Sequence, residues 1–99
     1  MPVDRRPLSS AEVAHLVAPL DGWELDGDTL RRQLVFDSFV QAFGFMAQVA
    51  LIAERLDHHP NWSNVYNRVD IAVTTHDAGG LTALDFEFVR RVDAVLSRA

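Results

Sequence analysis

The sequence predicts an α+β fold, a two-layer sandwich in which a four-stranded antiparallel sheet carries three helices on one face. Two observations indicate it. Helix-start motifs followed by apolar residues at three- and four-residue steps mark three helices, and alternation of apolar and polar residues marks two pairs of strands. Their order, α-β-β-α-β-β-α, favours an antiparallel sheet over a parallel βαβ arrangement. With 99 residues, of which 48% are hydrophobic and 23% charged, the chain fits one globular domain spanning residues 1–99.

The first element is a short helix. Ser9 and Glu12 have the spacing of a capping box, Leu8 and Val13 that of a hydrophobic staple, and the helix is expected to end near Pro19. Residues 1–7, before this helix, are expected to form a flexible N-terminal segment.

A β-hairpin with one buried face follows. Trp23 and Leu25 alternate with acidic residues, and residues 26–28, Asp-Gly-Asp, have the composition of a turn. The returning strand presents its apolar residues in alternation, at Leu30, Leu34 and Phe36.

The central helix begins after Ser38, with Gln41 three residues later. Its apolar residues recur at helical steps and predict a buried stripe. The stripe consists of Phe39, Ala42, Phe43, Met46, Val49, Ala50, Ala53 and Leu56. Pro60 stops the helix, because proline lacks an amide donor and disfavours helical geometry in the preceding residue. His58 and His59 are therefore expected at the C-terminal end of the helix.

The second hairpin and the last helix complete the fold. Residues 62–66 read as a short strand, Asn67-Arg68 as a turn, and a longer strand delivers His76 at its end. The buried face of that strand comprises Val69, Ile71, Val73 and Thr75. Residues 77–80 form a loop, and Thr82 with Asp85 forms a capping box for a helix whose apolar stripe is Phe88, Val89, Val92, Val95 and Leu96.

Composition excludes several classes of protein. The net charge of −5 repels phosphate polyanions, so direct nucleic-acid binding is not expected. All nine basic residues are arginine, which excludes Schiff-base lysine chemistry, and the absence of cysteine excludes disulfides and thiol nucleophiles. No stretch reads as a membrane span, and we expect a cytoplasmic protein without membrane contact.

Three of the four histidines fall at the ends of elements that point toward one edge of the sheet: His58, His59 and His76. Imidazole exchanges protons near neutral pH, so such a group can supply both an acid and a base. Glu54 precedes His58 by four residues and on a helix would lie within reach of its ring, which it could orient.

Two other interpretations stay open at this point. A histidine at a helix C-terminus is often only a favourable partner of the helix dipole, and the capping box alone explains Asp85. The imidazoles together with Asp57 or Asp77 could also bind zinc, although adjacent histidines rarely converge on one ion; we therefore predict no metal.

The spacing of these residues resembles the signature of the pterin-4a-carbinolamine dehydratases, also known as dimerisation cofactors of a homeodomain transcription factor. The matching series is Glu54, three residues, His58-His59-Pro60, five residues, Tyr66, nine residues, His76, eight residues and Asp85. Segments around it, among them residues 43–46, 49–51 and 64–67, look like the same family, and the likeness runs from about Leu8 to the C-terminus.

The resemblance implies a four-stranded sheet with helices on one side and an assembly into dimers or tetramers. It implies an enzyme that dehydrates a 4a-hydroxytetrahydropterin to the quinonoid dihydropterin, a step that returns the pterin after aromatic amino-acid hydroxylation. Pterin is then the substrate, and no cofactor is required. The implied catalytic residues are His58, His59 and His76.

The resemblance also implies the residues around the substrate. The pterin pocket would be formed by Asp57, His58, His59, Thr74, Thr75, His76 and Asp77. Glu54, Pro60, Trp62 and Asp85 would support it by orienting imidazoles or holding the local helix ends. The alternative is a non-catalytic interaction module that stabilises a partner's oligomer, a role that can coexist with a pocket at the sheet edge.

Overall fold

The computed structural model describes residues 4–98. Its regular elements are α1 (Ser10–Val17), β1 (Glu24–Asp26), β2 (Thr29–Val35), α2 (Phe39–Leu56), β3 (Asn61–Val65), β4 (Arg68–Val73) and α3 (Ala83–Ser97), with a 3₁₀ helix at His76–Ala78. The predicted α+β class and element order are confirmed. Of the segment predicted to be flexible, residues 1–3 lie outside the described part of the chain, and residues 4–7 carry no regular secondary structure.

The four strands form one antiparallel sheet in the order β1-β2-β4-β3. Each predicted hairpin forms, and the two are joined side by side because β2 pairs with β4, with Leu30 opposite Val73 and Leu34 opposite Val69. The central strands carry the most deeply buried residues of the sheet, Leu30, Val69, Ile71 and Val73. Apolar alternation in the sequence therefore predicts the face on which the helices pack.

The helices cover that face. Four residues of α2 at helical spacing are buried, Ala42, Phe45, Val49 and Ala53. They join the buried residues of α3, among them Phe88, Val89 and Val92, and the inner face of the sheet in one hydrophobic core. Val13 and Val17 of α1 are partly buried against the same core. The radius of gyration, 13.3 Å, is close to the value of about 13 Å for a compact chain of this length.

The predicted buried stripe of α2 is wrong in its first turns. Phe39 and Phe43 are 48% and 59% exposed, whereas Phe45, which lay outside the predicted stripe, is 4% exposed. The reason is that α2 is apolar on most of its circumference, so several rotations of the helix satisfy the same spacing. Val40 and Leu51 are also exposed, and we call Phe39, Val40, Phe43 and Leu51 together the outer face of α2.

Two predictions about the hairpins are also corrected. Leu25 is exposed rather than buried, since β1 is a three-residue edge strand. The second turn comprises Tyr66 and Asn67 rather than Asn67 and Arg68, because Val65 already pairs with Arg68.

Among the described residues, α2 is a helix long and apolar enough to cross a bilayer, with a mean hydropathy of 1.3 over 18 residues. Length and composition alone are weak evidence, because the core helix of a globular protein meets the same criteria. One face of α2, with Ala42, Phe45, Val49 and Ala53, packs in the hydrophobic core together with the sheet.

Candidate active site

The end of α2 is formed by a left-handed residue. Asp57 has φ 51° and ψ 47°, its amide donates to the carbonyls of Ala53 and Glu54, and the amide of His58 donates to the carbonyl of Ala53 at 2.9 Å. The hydrogen bond from His58 back to Ala53 closes the helix as in a Schellman motif. Glycine is the usual residue at the left-handed position that Asp57 occupies here. The reversal directs the chain inward at His58 and outward at His59, so the two neighbours enter different environments.

His58 is buried within the helical layer and is 7% exposed. Its Nε2 atom lies 2.6 Å from Oδ1 of Asp85 on α3. The ring also meets the ring of Phe88 edge to face, with centroids 6.3 Å apart. His58 is thus fixed by a carboxylate on one side and by an aromatic ring on another.

Asp85 has two structural roles. Its Oδ2 atom accepts a hydrogen bond from the backbone amide of Thr82 at 2.9 Å, which completes the predicted capping box, and another from Thr75 Oγ1 at 2.7 Å. Oδ1 faces His58, and Asp85 is 0% exposed. The predicted capping box is therefore confirmed, and the same carboxylate also contacts the ring of His58.

The segment that carries His76 follows β4. Thr75 is buried and pairs with Gly80 in an isolated antiparallel bridge, and His76 then begins the 3₁₀ helix. His76 and Asp77 are exposed. Since Thr75 bonds to Asp85 and Asp85 bonds to His58, the residue before His76 and the residue after the end of α2 share one carboxylate.

Thr74 and Thr75 differ in what their hydroxyls contact. Thr74 Oγ1 donates to the carbonyl of Asp28 at 2.7 Å and ties the end of β4 to the turn of the first hairpin. Thr75 Oγ1 lies 2.7 Å from Asp85 Oδ2 and 2.9 Å from Thr82 Oγ1, so its hydroxyl is engaged inside the protein. The contact of Thr75 with Asp85 was not predicted from the sequence, although the place of Thr75 in the buried alternation after β4 indicates that its side chain points inward.

The predicted contact between Glu54 and His58 is wrong. Glu54 Oε1 instead lies 2.7 Å from Nε2 of His59. The expectation assumed that the helix continued through residue 58, but the left-handed Asp57 ends it first. Both Glu54 and His59 are exposed, so this pair lies at the surface.

Pro60 and Trp62 connect the histidines to the sheet. Pro60 precedes β3, and Trp62 is half-buried against the hydrophobic core and pairs with Ile71 across the strands. Trp62 also lines a concave region of about 690 Å³ together with polar residues such as Arg31, Gln33 and Asp70, and none of the histidines lines that region. Within residues 4–98, no three His, Cys, Asp or Glu side chains are grouped so that they could hold a metal ion.

Comparison with known proteins assigns the chain to a family. Residues 6–95 match the sequence profile described as Pterin 4 alpha carbinolamine dehydratase. Two curated relatives are both named "Putative pterin-4-alpha-carbinolamine dehydratase". The relative from Chelativorans sp. (strain BNC1) is 46% identical over 95% of this chain and 98% of its own length. The relative from Bradyrhizobium sp. (strain ORS 278) is 51% identical over 89% of this chain and 90% of its own length.

The fold comparison agrees with the sequence comparison. The crystal structure of a transcriptional coactivator/pterin dehydratase from Brucella melitensis superposes with a TM-score of 0.86 at 46% identity. The match covers 91% of this chain and 98% of that one. The predicted resemblance is confirmed, and the chain belongs to the pterin-4a-carbinolamine dehydratase family of hydro-lyases.

Proposed function

We propose that this chain dehydrates a 4a-hydroxytetrahydropterin to the quinonoid dihydropterin by histidine acid–base catalysis, and so supports the recycling of tetrahydropterin after aromatic amino-acid hydroxylation. The observation that carries the proposal is the buried contact of His58 with Asp85 and, through it, with Thr75, in a chain that matches the family over residues 6–95. Proton exchange needs imidazoles held in fixed positions, and this contact supplies one.

The reaction requires two proton transfers and no covalent intermediate. An acid protonates the 4a-hydroxyl, the C4a–O bond breaks and water leaves, and a base accepts the N5 proton as the C4a=N5 double bond forms. We assign the two transfers to His58 and His76 and the positioning of the ring mainly to His59. His58 would act through Nδ1, because its Nε2 faces Asp85.

The substrate would lie among the residues where the end of α2 and the segment after β4 come together. The proposed pocket is formed by Asp57, His58, His59, Thr74, Thr75, His76 and Asp77. The hydroxyl of Thr75 is engaged with Asp85 and Thr82, so Thr75 would line the pocket without offering its hydroxyl to the pterin. The pterin is the substrate, and the chemistry calls for no cofactor.

The test is the rate at which the purified protein removes 4a-hydroxytetrahydropterin. We expect His58→Ala and His76→Ala each to lower kcat by about 10²- to 10⁴-fold, the contribution typical of a positioned acid or base. His15→Ala is the matched control, since His15 is exposed on α1, and it should leave the rate unchanged. Wild-type turnover in both site variants would overturn the assignment, and no turnover by the wild-type protein would overturn the proposed function.

A second candidate function is an interaction module that stabilises a partner's oligomer. The outer face of α2 favours it, because Phe43 and Leu51 are 59% and 73% exposed and a cluster of exposed apolar residues marks a contact surface. The Brucella melitensis relative is also named a transcriptional coactivator. We propose a second copy of this chain as the first occupant of the surface, in a cytoplasmic homodimer or homotetramer.

Sedimentation velocity tests this assembly. We expect the wild-type protein to sediment as a dimer or tetramer and the double variant Phe43→Ser/Leu51→Ser to sediment as a smaller species. Arg55→Ser, an exposed change on the same helix, should sediment as the wild type does. A monomeric wild-type protein would contradict the homo-oligomer. A protein that has no catalytic activity but binds a partner through the outer face of α2 would favour the interaction module alone.

A further inference from the structure

We propose that Thr75 and Thr82 are positioning residues that orient Asp85 so that His58 is held with its proton on Nε2, leaving Nδ1 as the atom that exchanges protons. The inference concerns which nitrogen of the His58 ring carries the proton, and it rests on the proposed function only for its consequence in catalysis. It stands on five hydrogen bonds among buried groups, whose directions can be worked out one by one.

The hydroxyls form a directed chain. Thr82 Oγ1 accepts from the amide of Leu84 at 3.2 Å, and Thr75 Oγ1 donates to Asp85 Oδ2 at 2.7 Å. Thr75 thus uses its single hydroxyl proton on Asp85, so Thr82 must donate in the contact of 2.9 Å between the two hydroxyls. The chain runs from Thr82 to Thr75 to Asp85, and each hydroxyl polarises the next.

This chain fixes which oxygen of Asp85 faces the histidine. Oδ2 accepts from two donors, the hydroxyl of Thr75 and the amide of Thr82. The amide of Thr82 can only donate, and Thr75 Oγ1 gives its single proton to Oδ2, so Oδ2 accepts both hydrogen bonds. Oδ1 is left for Nε2 of His58 at 2.6 Å, and an acceptor there requires the ring to carry its proton on Nε2.

The hydroxyls of Thr75 and Thr82 therefore set the tautomer of His58, although neither hydroxyl contacts its ring. If Thr75 lost its proton donor, the carboxylate could rotate and would no longer present one fixed oxygen to the ring. The neutral ring would then divide between its two tautomers, and the fraction with a free Nδ1 lone pair would fall.

The test reads the tautomer directly from the ¹⁵N chemical shifts of the His58 ring, at a pH at which the ring is neutral. We expect Nε2–H in the wild-type protein and a mixture of tautomers in Thr75→Val, a nearly isosteric change that removes the hydroxyl. Thr75→Ser should restore the wild-type pattern. Thr29→Val is the matched control, because its hydroxyl contacts Asp28 and lies outside this network, and it should keep the Nε2–H form.

Asp85→Asn gives the sharper outcome. The two donors from Thr75 and Thr82 would hold the amide oxygen of the new side chain and direct its NH₂ group at His58, which can then only accept at Nε2. We expect the tautomer to reverse to Nδ1–H and kcat to fall by about 10²-fold or more with the fold retained in the amide spectrum. The inference would be overturned if the His58 ring carried its proton on Nδ1 in the wild-type protein, or kept its proton on Nε2 in Asp85→Asn.

The kinetic readout separates this inference from the proposed function. In Thr75→Val we expect kcat to fall more than KM changes, since the tautomer alters proton transfer rather than binding. If the wild-type protein proves inactive on pterins while the ring shifts follow the predicted pattern, the proposed function fails and the tautomer assignment stands. If the wild-type protein turns over pterins normally and the ¹⁵N shifts of the His58 ring are unchanged in Thr75→Val, the tautomer assignment fails and the proposed function stands.

Discussion

The Nε2 atom of His59 lies 2.7 Å from Oε1 of Glu54, across the residue at which α2 ends. Its neighbour His58 makes a contact of similar length with Asp85, but there the side chains are 8% and 0% exposed, whereas those of His59 and Glu54 are 56% and 78% exposed. Two adjacent histidines therefore form geometrically similar contacts in opposite environments. We expect mutations of their two carboxylates to differ accordingly.

Glu54→Gln should change stability little. An exposed pair contributes about 0–1 kcal/mol because water and salt screen it, so the free energy of unfolding should shift by less than about 1 kcal/mol. Urea denaturation measures this shift. A loss of several kcal/mol would show that Glu54 supports the fold in a way that its surface contact does not explain.

Asp85→Ala should be far more costly. It removes the acceptor of the Thr82 amide, the Thr75 hydroxyl and the His58 ring, all of which are buried. Each unsatisfied buried donor costs about 1–3 kcal/mol, and we expect a total loss of at least about 3 kcal/mol in the free energy of unfolding. Urea denaturation of this variant beside Glu54→Gln provides the comparison, and equal losses in the two would contradict it.

Asp57→Gly should raise stability and lower activity. The left-handed backbone of Asp57 costs an L-residue about 1–2 kcal/mol, part of which is offset by the greater freedom of glycine in the unfolded chain. We expect a net gain of about 0.5–1 kcal/mol in the free energy of unfolding, together with a higher KM if the Asp57 carboxylate contacts the pterin.

Tyr66→Gly is the control for the stability effect of Asp57→Gly, because Tyr66 is exposed and also left-handed, with φ 52°. A gain in both variants would identify backbone conformation as the cause. Destabilisation by Asp57→Gly would show that the aspartate side chain itself holds the end of α2.

Glu87 should make stability depend on pH in the acid range. Hydrogen bonds from Arg90 and then Arg91 lower the pKa of Glu87 from its usual value to about 2. A carboxyl whose pKa is depressed in the folded state stabilises fully above the unfolded value of about 4.5, and this stabilisation is lost as the pH falls toward 2. The pairs lie near the surface, so we expect about 1 kcal/mol.

Glu87→Gln measures this contribution by difference. The free energy of unfolding of the wild-type protein should exceed that of the variant at pH 6, and the gap should narrow between pH 5 and pH 2. A gap that is constant across this range would show that the charge of Glu87 is not responsible.

Helix starts and strand faces could be predicted because each rests on neighbours in sequence. The capping boxes at Ser9 and Thr82 form as expected, and alternation at Leu30 and along β4 gives the buried face. Contacts that depend on a single backbone angle could not be predicted. Because the φ of Asp57 is positive, Glu54 contacts His59 rather than His58. An aspartate does not indicate a left-handed helix end as clearly as a glycine does.

The orientation of α2 was ambiguous for a different reason. Phe43 and Phe45 are equally apolar, and only the packed partner decides which of them is buried; here Phe45 lies against Phe36, with ring centroids 5.2 Å apart. Similarly, the sequence marked Thr75 and Asp85 separately, but their contact depends on how β4 and α3 pack. Such contacts follow from tertiary structure and leave no local pattern.

In the proposed mechanism, the dual role of Asp85 links catalysis to the first turn of α3. When the start of this helix frays, its cap opens and His58 loses its anchor in the same event. Amide hydrogen exchange at Leu84 and Asp85 should therefore report on the active fraction of the enzyme. Mild heating should stop turnover once the first turn of α3 opens, while the sheet is still folded.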